Sequence, residues 1–210
     1  MTDTPVRFTI ARRFACGLAA ALVFAVSACG GGDNSSQTLI GYRVEPVPHV
    51  GAFTVDNASQ AGEPFQLRAE PDRLLIVFLG FTNCPDACPT ALAEVRHVMN
   101  RLGDDSAALD VAMLTVDPVR DTPEVLTSYV RGFVDRGIAL RSEDPATLQQ
   151  IAEAFGATFA TEHDHDGLTT DVGHTDQTYL VDHNGDVIVT WTAEMTSDDL
   201  EHDLRILLDA

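Results

Sequence analysis

Apolar positions along this chain recur in two periods, and each marks an element. Leu74 through Phe81 is an unbroken apolar run of the kind a strand buried on both faces requires. From Pro89 to Leu102 the spacing lengthens to a helical stripe of Leu92, Val95, Met99 and Leu102. Leu109 to Val116 reads as a second strand, closed by Asp117-Pro118. Thr122 before Pro123 supplies an N-cap and a first-turn proline for a helix that buries Leu126, Tyr129, Val130 and Phe133. A short strand at Ile138 to Leu140 precedes a second cap, Asp144-Pro145, and a helix through Leu148, Ile151 and Phe155 that stops at Gly156. Gln177–Val181 and Val187–Trp191 flank Asn184-Gly185, which is a hairpin signal. Thr196 with Asp199 predicts a capping box for a closing helix carrying Leu200, Leu204, Leu207 and Leu208.

This order matches an α/β fold, a thioredoxin-like sandwich. Residues 42 to 67, with Tyr42-Arg43-Val44 and Phe65-Gln66-Leu67 as its extended pieces, are expected to add an N-terminal β-hairpin or edge extension. The domain itself is expected to span residues 41–210, enough chain for one core.

The first 28 residues read as a targeting segment. Arg7, Arg12 and Arg13 form a basic start, and Phe14 through Val26 an apolar run too short to span a bilayer comfortably. Val26-Ser27-Ala28-Cys29 resembles the lipobox of bacterial lipoproteins, which implies cleavage before Cys29 and acylation of that cysteine. An uncleaved anchor helix would leave the domain on the same side of the membrane, and Arg12-Arg13-Phe14 gives slight support to a twin-arginine signal. Residues 29–40, rich in Gly, Asn and Ser, have the composition of a flexible tether; eight such residues span roughly 15 Å. The domain is thus expected to be lipid-anchored at the cell membrane, facing the periplasm or the exterior.

The formal net charge is −19, and every basic residue is arginine. Losing the leader would remove Arg7, Arg12 and Arg13 against Asp3 alone, leaving the remainder more acidic still. Such a surface repels nucleic-acid phosphates and favours cationic partners, metal ions or basic protein faces; a general acidic bias explains it equally well.

With Cys16 in the leader and Cys29 carrying lipid, Cys84 and Cys88 are the thiols of the folded part. They lie in Cys84-Pro85-Asp86-Ala87-Cys88-Pro89, where the first buried strand hands over to a helix. Export makes a disulfide the default unless a reductant or metal intervenes. Pro89 at a helix start puts Cys88 at the cap, where the macrodipole favours thiolate. Three intervening residues permit a disulfide and also suit two sulfurs sharing one ion. The strand that follows a loop at 161 to 173, beginning at His174, is expected to run antiparallel to the central strand, which brings this imidazole to the edge where the cysteine strand ends. Two thiolates and an imidazole suit Cu(I), can hold Cu(II), and accept zinc. Asp86 reads as a turn residue capping the next helix, or as an oxygen that tunes the sulfurs. Glu162-His163-Asp164-His165-Asp166 can gather copper or zinc, although a solvated acidic loop has the same composition. His49, His97, His183 and His202 are read as surface residues.

Gly80-Phe81-Thr82-Asn83-Cys84-Pro85-Asp86-Ala87-Cys88-Pro89-Thr90, then Thr115-Val116-Asp117-Pro118-Val119-Arg120-Asp121-Thr122-Pro123, then His174 before Tyr179-Leu180-Val181-Asp182, resemble the Sco family of copper chaperones. The resemblance implies a thioredoxin-like, membrane-tethered protein that binds one copper through Cys84, Cys88 and His174. It also implies a role in assembling the binuclear copper centre of cytochrome c oxidase, with that oxidase subunit as recipient and a copper donor chaperone upstream. Family members are further credited with reducing the subunit's cysteines, so a thiol-disulfide reductase is the competing function. Where the family often has Asp before the histidine, this chain has Gly173, with Asp171 or Asp176 as substitutes. Peroxiredoxins share the architecture but carry a threonine three residues before the reactive cysteine, whereas Thr82 is two before Cys84.

Overall fold

In the computed structural model the described residues are 38–163 and 169–209, with backbone alone from 161 to 163 and from 169 to 172. The leader, Cys29, most of the tether and the Asp164-His165-Asp166 part of the acidic cluster lie outside them. Strands β1 (Thr54–Asn57) and β2 (Glu63–Gln66) form a hairpin, and β3 (Leu74–Gly80) is an interior strand, buried from Leu75 onward. Helix α1 (Ala87–Leu102) leads to β4 (Leu109–Thr115), and α2 (Pro123–Phe133) to β5 (Ile138–Arg141). Helix α3 (Pro145–Phe155) precedes a separate pair, β6 (Phe159–His163) and β7 (Thr169–His174). The chain closes with β8 (Gln177–Val181), β9 (Val187–Thr192) and α4 (Ser197–Leu208). The main sheet runs β2-β1-β5-β4-β3-β8-β9.

Beside β3, β4 runs parallel, with Leu74 opposite Leu109 and Gly80 opposite Thr115, and β8 runs antiparallel, with Phe78 opposite Thr178. Alternation along these strands divides the core. Ile76, Val111, Leu180 and Val189 cluster with Val95 and Val98 of α1 and with Leu200 and Leu204 of α4. Leu75, Val77 and Tyr179 belong with Ile151 and Phe155 of α3, the Phe155 and Tyr179 rings 4.7 Å apart. A strand covered on both faces explains why its sequence is apolar without alternation.

The caps fall where local chemistry places them. Thr122 accepts from the Val125 amide, Asp144 from Ala146 and Thr147, and Thr196 with Asp199 closes a capping box. Gly156 ends α3 in the left-handed conformation, φ 71°. Among the described residues no helix is long and apolar enough to cross a membrane.

Two expectations need correction. The N-terminal hairpin exists, but Tyr42-Arg43-Val44 is not one of its arms: Tyr42 bridges Thr190 on β9, at the opposite edge of the sheet from β1 and β2. Pro46 and Pro48 lack the N–H a continuous ladder needs, so the segment pairs at isolated bridges, Tyr42 with Thr190 of β9 and His49 with Asp186 just before it. The buried Asp203 carboxylate holds its start, accepting from Ile40 N at 2.8 Å, Gly41 N at 2.7 Å and Trp191 Nε1 at 2.9 Å. Of the stretch expected as a loop from 161 to 173, residues 161–163 and 169–173 belong instead to the β6–β7 ribbon, with Phe159 opposite His174. Its β-branched Thr161, Thr169, Thr170 and Val172 support strand geometry despite the polar run between them.

Candidate metal centre

Strand β3 stops at Gly80, and the chain turns through Phe81 to Asp86 before α1 begins. A Cβ on Gly80 would lie 2.8 Å from Cys88 Sγ and 2.6 Å from Phe78 Cε1, so only glycine leaves room for that sulfur. Cys84 is partly exposed and its sulfur accepts from the Cys88 amide at 3.3 Å; Cys88 is fully buried. Asp86 occupies the N-cap position without a side-chain cap bond, which leaves Cys88 second in the helix rather than at its cap. Pro89 sits in the first turn, where its missing N–H has no intrahelical partner to lose.

His174 is the last residue of β7, not the first of β8, yet it reaches the expected rim because β8 starts three residues later beside β3. Its ring stands edge-on to Phe78 and Phe81, centroids 6.1 and 5.6 Å away, and its side chain is only 4% exposed. Nδ1 lies 3.1 Å from the Thr175 carbonyl and 3.4 Å from Asp176 Oδ1. An Nδ1–H donated to that carbonyl leaves the Nε2 lone pair facing Cys88 Sγ, 3.6 Å away. One ligand atom from each of Cys84, Cys88 and His174 falls within 4.8 Å of the others, the one such group among the described residues.

Burial, the largest influence, pushes the Cys88 thiol well above its ordinary range, with a smaller opposing pull from the Phe81 backbone and a further upward push from Cys84. The expectation of a helix-stabilised thiolate therefore fails for the metal-free protein: desolvation outweighs the dipole at this depth. A cation between the sulfurs would reverse that balance, since a coordinated thiol is deprotonated.

The Asp117–Asp121 loop braces the site without contributing a ligand. Asp121, fully buried, accepts from Thr82 N at 3.0 Å, from the Thr82 hydroxyl, and from Thr115 Oγ1 at 2.6 Å, tying the cysteine turn to the end of β4. Arg120 pairs with Asp117 and lies over the Phe81 ring at 5.8 Å. Of the two carboxylates proposed to compensate for Gly173, Asp176 approaches the imidazole, while the Asp171 backbone pairs with Glu162. A Cβ at 173 would meet nothing within 4 Å, so packing does not demand the glycine. His163 ends β6, its side chain outside the described residues. In the sequence Asp117-Pro118 and Arg120-Asp121 already read as shaping a loop beside the site rather than binding metal, and Asp121 does so. What sequence reasoning missed is the packing of Gly80 and Phe78 around the sulfur and the imidazole, for which the continuous Gly80-Phe81-Thr82 run beside the cysteines was the available signal.

A thioredoxin-like sheet carrying two cysteines and a histidine at one rim defines a class of thiol-based metal-binding domains. Within that class the SCO1/SenC family model matches residues 45–209, and the chain belongs to this family. It is 33% identical over 127 residues to a SCO2-like protein of Rickettsia prowazekii, a match covering 60% of this chain and 62% of that protein. The apo Sco1 protein of Thermus thermophilus superimposes with a TM-score of 0.70 at 28% identity, covering 81% of this chain and 97% of that one. ScoI of Bradyrhizobium japonicum, solved with copper bound, does so at 0.61 and 27%, covering 73% and 96%.

Proposed function

We propose that this protein binds one copper ion through Cys84, Cys88 and His174 and delivers it to the binuclear copper site of cytochrome c oxidase. The observation that carries this reading is the convergence of two sulfurs and an imidazole nitrogen within 4.8 Å at one rim. Three ligands from a short turn and a separate ribbon make a site that can be left as well as entered, as a carrier needs. The donor set fits a thiophilic ion, and copper is the ion held by the Bradyrhizobium japonicum relative. Acylation at Cys29 would tether the domain to the cell membrane on its periplasmic or outer face, near a membrane-bound recipient and a donor chaperone.

A second reading rests on the asymmetry of the thiols. Cys84 is the more exposed and Cys88 is buried directly behind it, the arrangement of an attacking and a resolving thiol in a dithiol reductase. Incubating the copper-loaded full-length protein with the copper-free, reduced copper-bearing subunit of the oxidase separates the two. Transfer of copper that is lost in His174→Ala supports delivery. Metal-free protein that reduces the subunit's disulfide equally well with and without His174, and transfers no copper, supports the reductase instead.

A further inference from the structure

Beside the metal centre a groove of about 310 Å³ opens between α1 and the β8–β9 edge. Its floor is apolar, built from Phe78, Ala91, Trp191 and Met195. Phe78 also stands against the His174 ring, so the groove and the copper site share a wall. Three carboxylates line it: Asp86 from between the cysteines, Glu94 two turns further along α1, and Asp176 beside the imidazole. No arginine or histidine lines it, and neither Asp86 nor Glu94 has an ion-pair partner among the described residues. Glu94 is partly desolvated, which pushes its carboxyl above the usual range and makes an incoming cation its natural complement.

Resting on the copper-delivery reading, we propose that this groove docks the protein that exchanges copper with this chain, by accepting an arginine or lysine flanked by apolar residues. The aliphatic stem of such a side chain would cover Ala91 and Met195, and its charged head would meet Glu94 and Asp176. Apolar burial supplies attraction, and the carboxylates, those of Asp86 and Glu94 without an ion-pair partner among the described residues, select for positive charge. Docking here would place the partner's own ligands next to Cys84 and His174, whereas docking elsewhere on this acidic surface would not.

The test is an NMR titration of the full-length reduced protein in detergent micelles with acetyl-Leu-Arg-Leu-amide, and with the same peptide carrying citrulline in place of arginine. The expected result is shifts centred on Thr90, Ala91, Thr178 and Thr192, weakened about tenfold by citrulline or by Glu94→Gln. Equal binding of the citrulline peptide, or shifts spread over the acidic surface and indifferent to Glu94→Gln, overturns the proposal. Cu(I) uptake from a chelator is followed in the same samples. Undiminished uptake in Glu94→Gln is expected, because Glu94 is not a ligand. Failure of the wild type to take up Cu(I) overturns the copper reading and this proposal together, whereas normal uptake with no peptide response removes the docking site alone.

Discussion

Asp203 and Cys88 are both fully buried polar groups, and their surroundings differ in kind. The Asp203 carboxylate accepts three N–H bonds, from Ile40, Gly41 and Trp191, and straps the N-terminal segment to β9 and α4. Cys88 Sγ has no comparable set; what faces it is the Nε2 of His174, beside the sulfur of Cys84. A buried group whose capacity is met by the protein belongs to the fold. Converging lone pairs that the few backbone donors around them do not fill belong to a ligand that the protein does not itself supply.

That contrast breaks most sharply by mutation. Cys84→Ser or Cys88→Ser is expected to weaken Cu(I) binding by about a hundred- to a thousandfold, near 3 kcal/mol or more per lost ligand, with folding cooperativity retained, as competition with a Cu(I) chelator would report. Asp203→Leu should do the reverse. It leaves three donors unpaired and costs about 3 kcal/mol in urea unfolding, while Cu(I) affinity in the folded fraction is unchanged. If Asp203→Leu abolishes copper binding in protein that is still folded, the two regions are not independent.

Gly80→Ala lies between these extremes, because the new methyl must push Cys88 Sγ or the Phe78 ring aside. It should cost about ten- to a hundredfold in Cu(I) affinity with a smaller loss of stability. The smallest effect concerns pH. The Cys88 thiol is raised in the folded protein, while in the unfolded chain it ionises near its reference value of 9.0. Above that pH the unfolded state binds fewer protons, so the stability of the reduced, metal-free protein should fall as pH rises, by at most ~1.4 kcal/mol per unit. Cys88→Ala should flatten that slope in urea titrations between pH 8 and 10; an unchanged slope would assign it to other groups.

What could be seen in the sequence follows the range of the forces involved. Helix starts at Thr122, Asp144 and Thr196, and the stop at Gly156, depend on residues within a few positions of one another, and all were legible. The continuous apolar run of β3 announced a strand covered on both sides. The β6–β7 ribbon was not legible, because its pairing crosses a polar stretch and no apolar alternation marks it. For the same reason His174 was assigned to the wrong strand although the rim was deduced from the direction of β8. The Tyr42 segment misled because an extended tripeptide does not say which sheet edge it will meet; Asp203, more than 160 residues away, decides that. The ionisation of Cys88 was misjudged because the helix dipole is a local feature and burial is not. Gly80 carries its reason only in three dimensions, where a sulfur from the next helix passes over its Cα.

The most direct test of the copper centre is X-ray absorption at the copper edge on the full-length protein loaded with one equivalent of Cu(I), compared with His174→Ala. Coordination by two sulfurs and one nitrogen, with the nitrogen shell lost in the variant, is the predicted result. A spectrum and affinity unchanged by His174→Ala would contradict it.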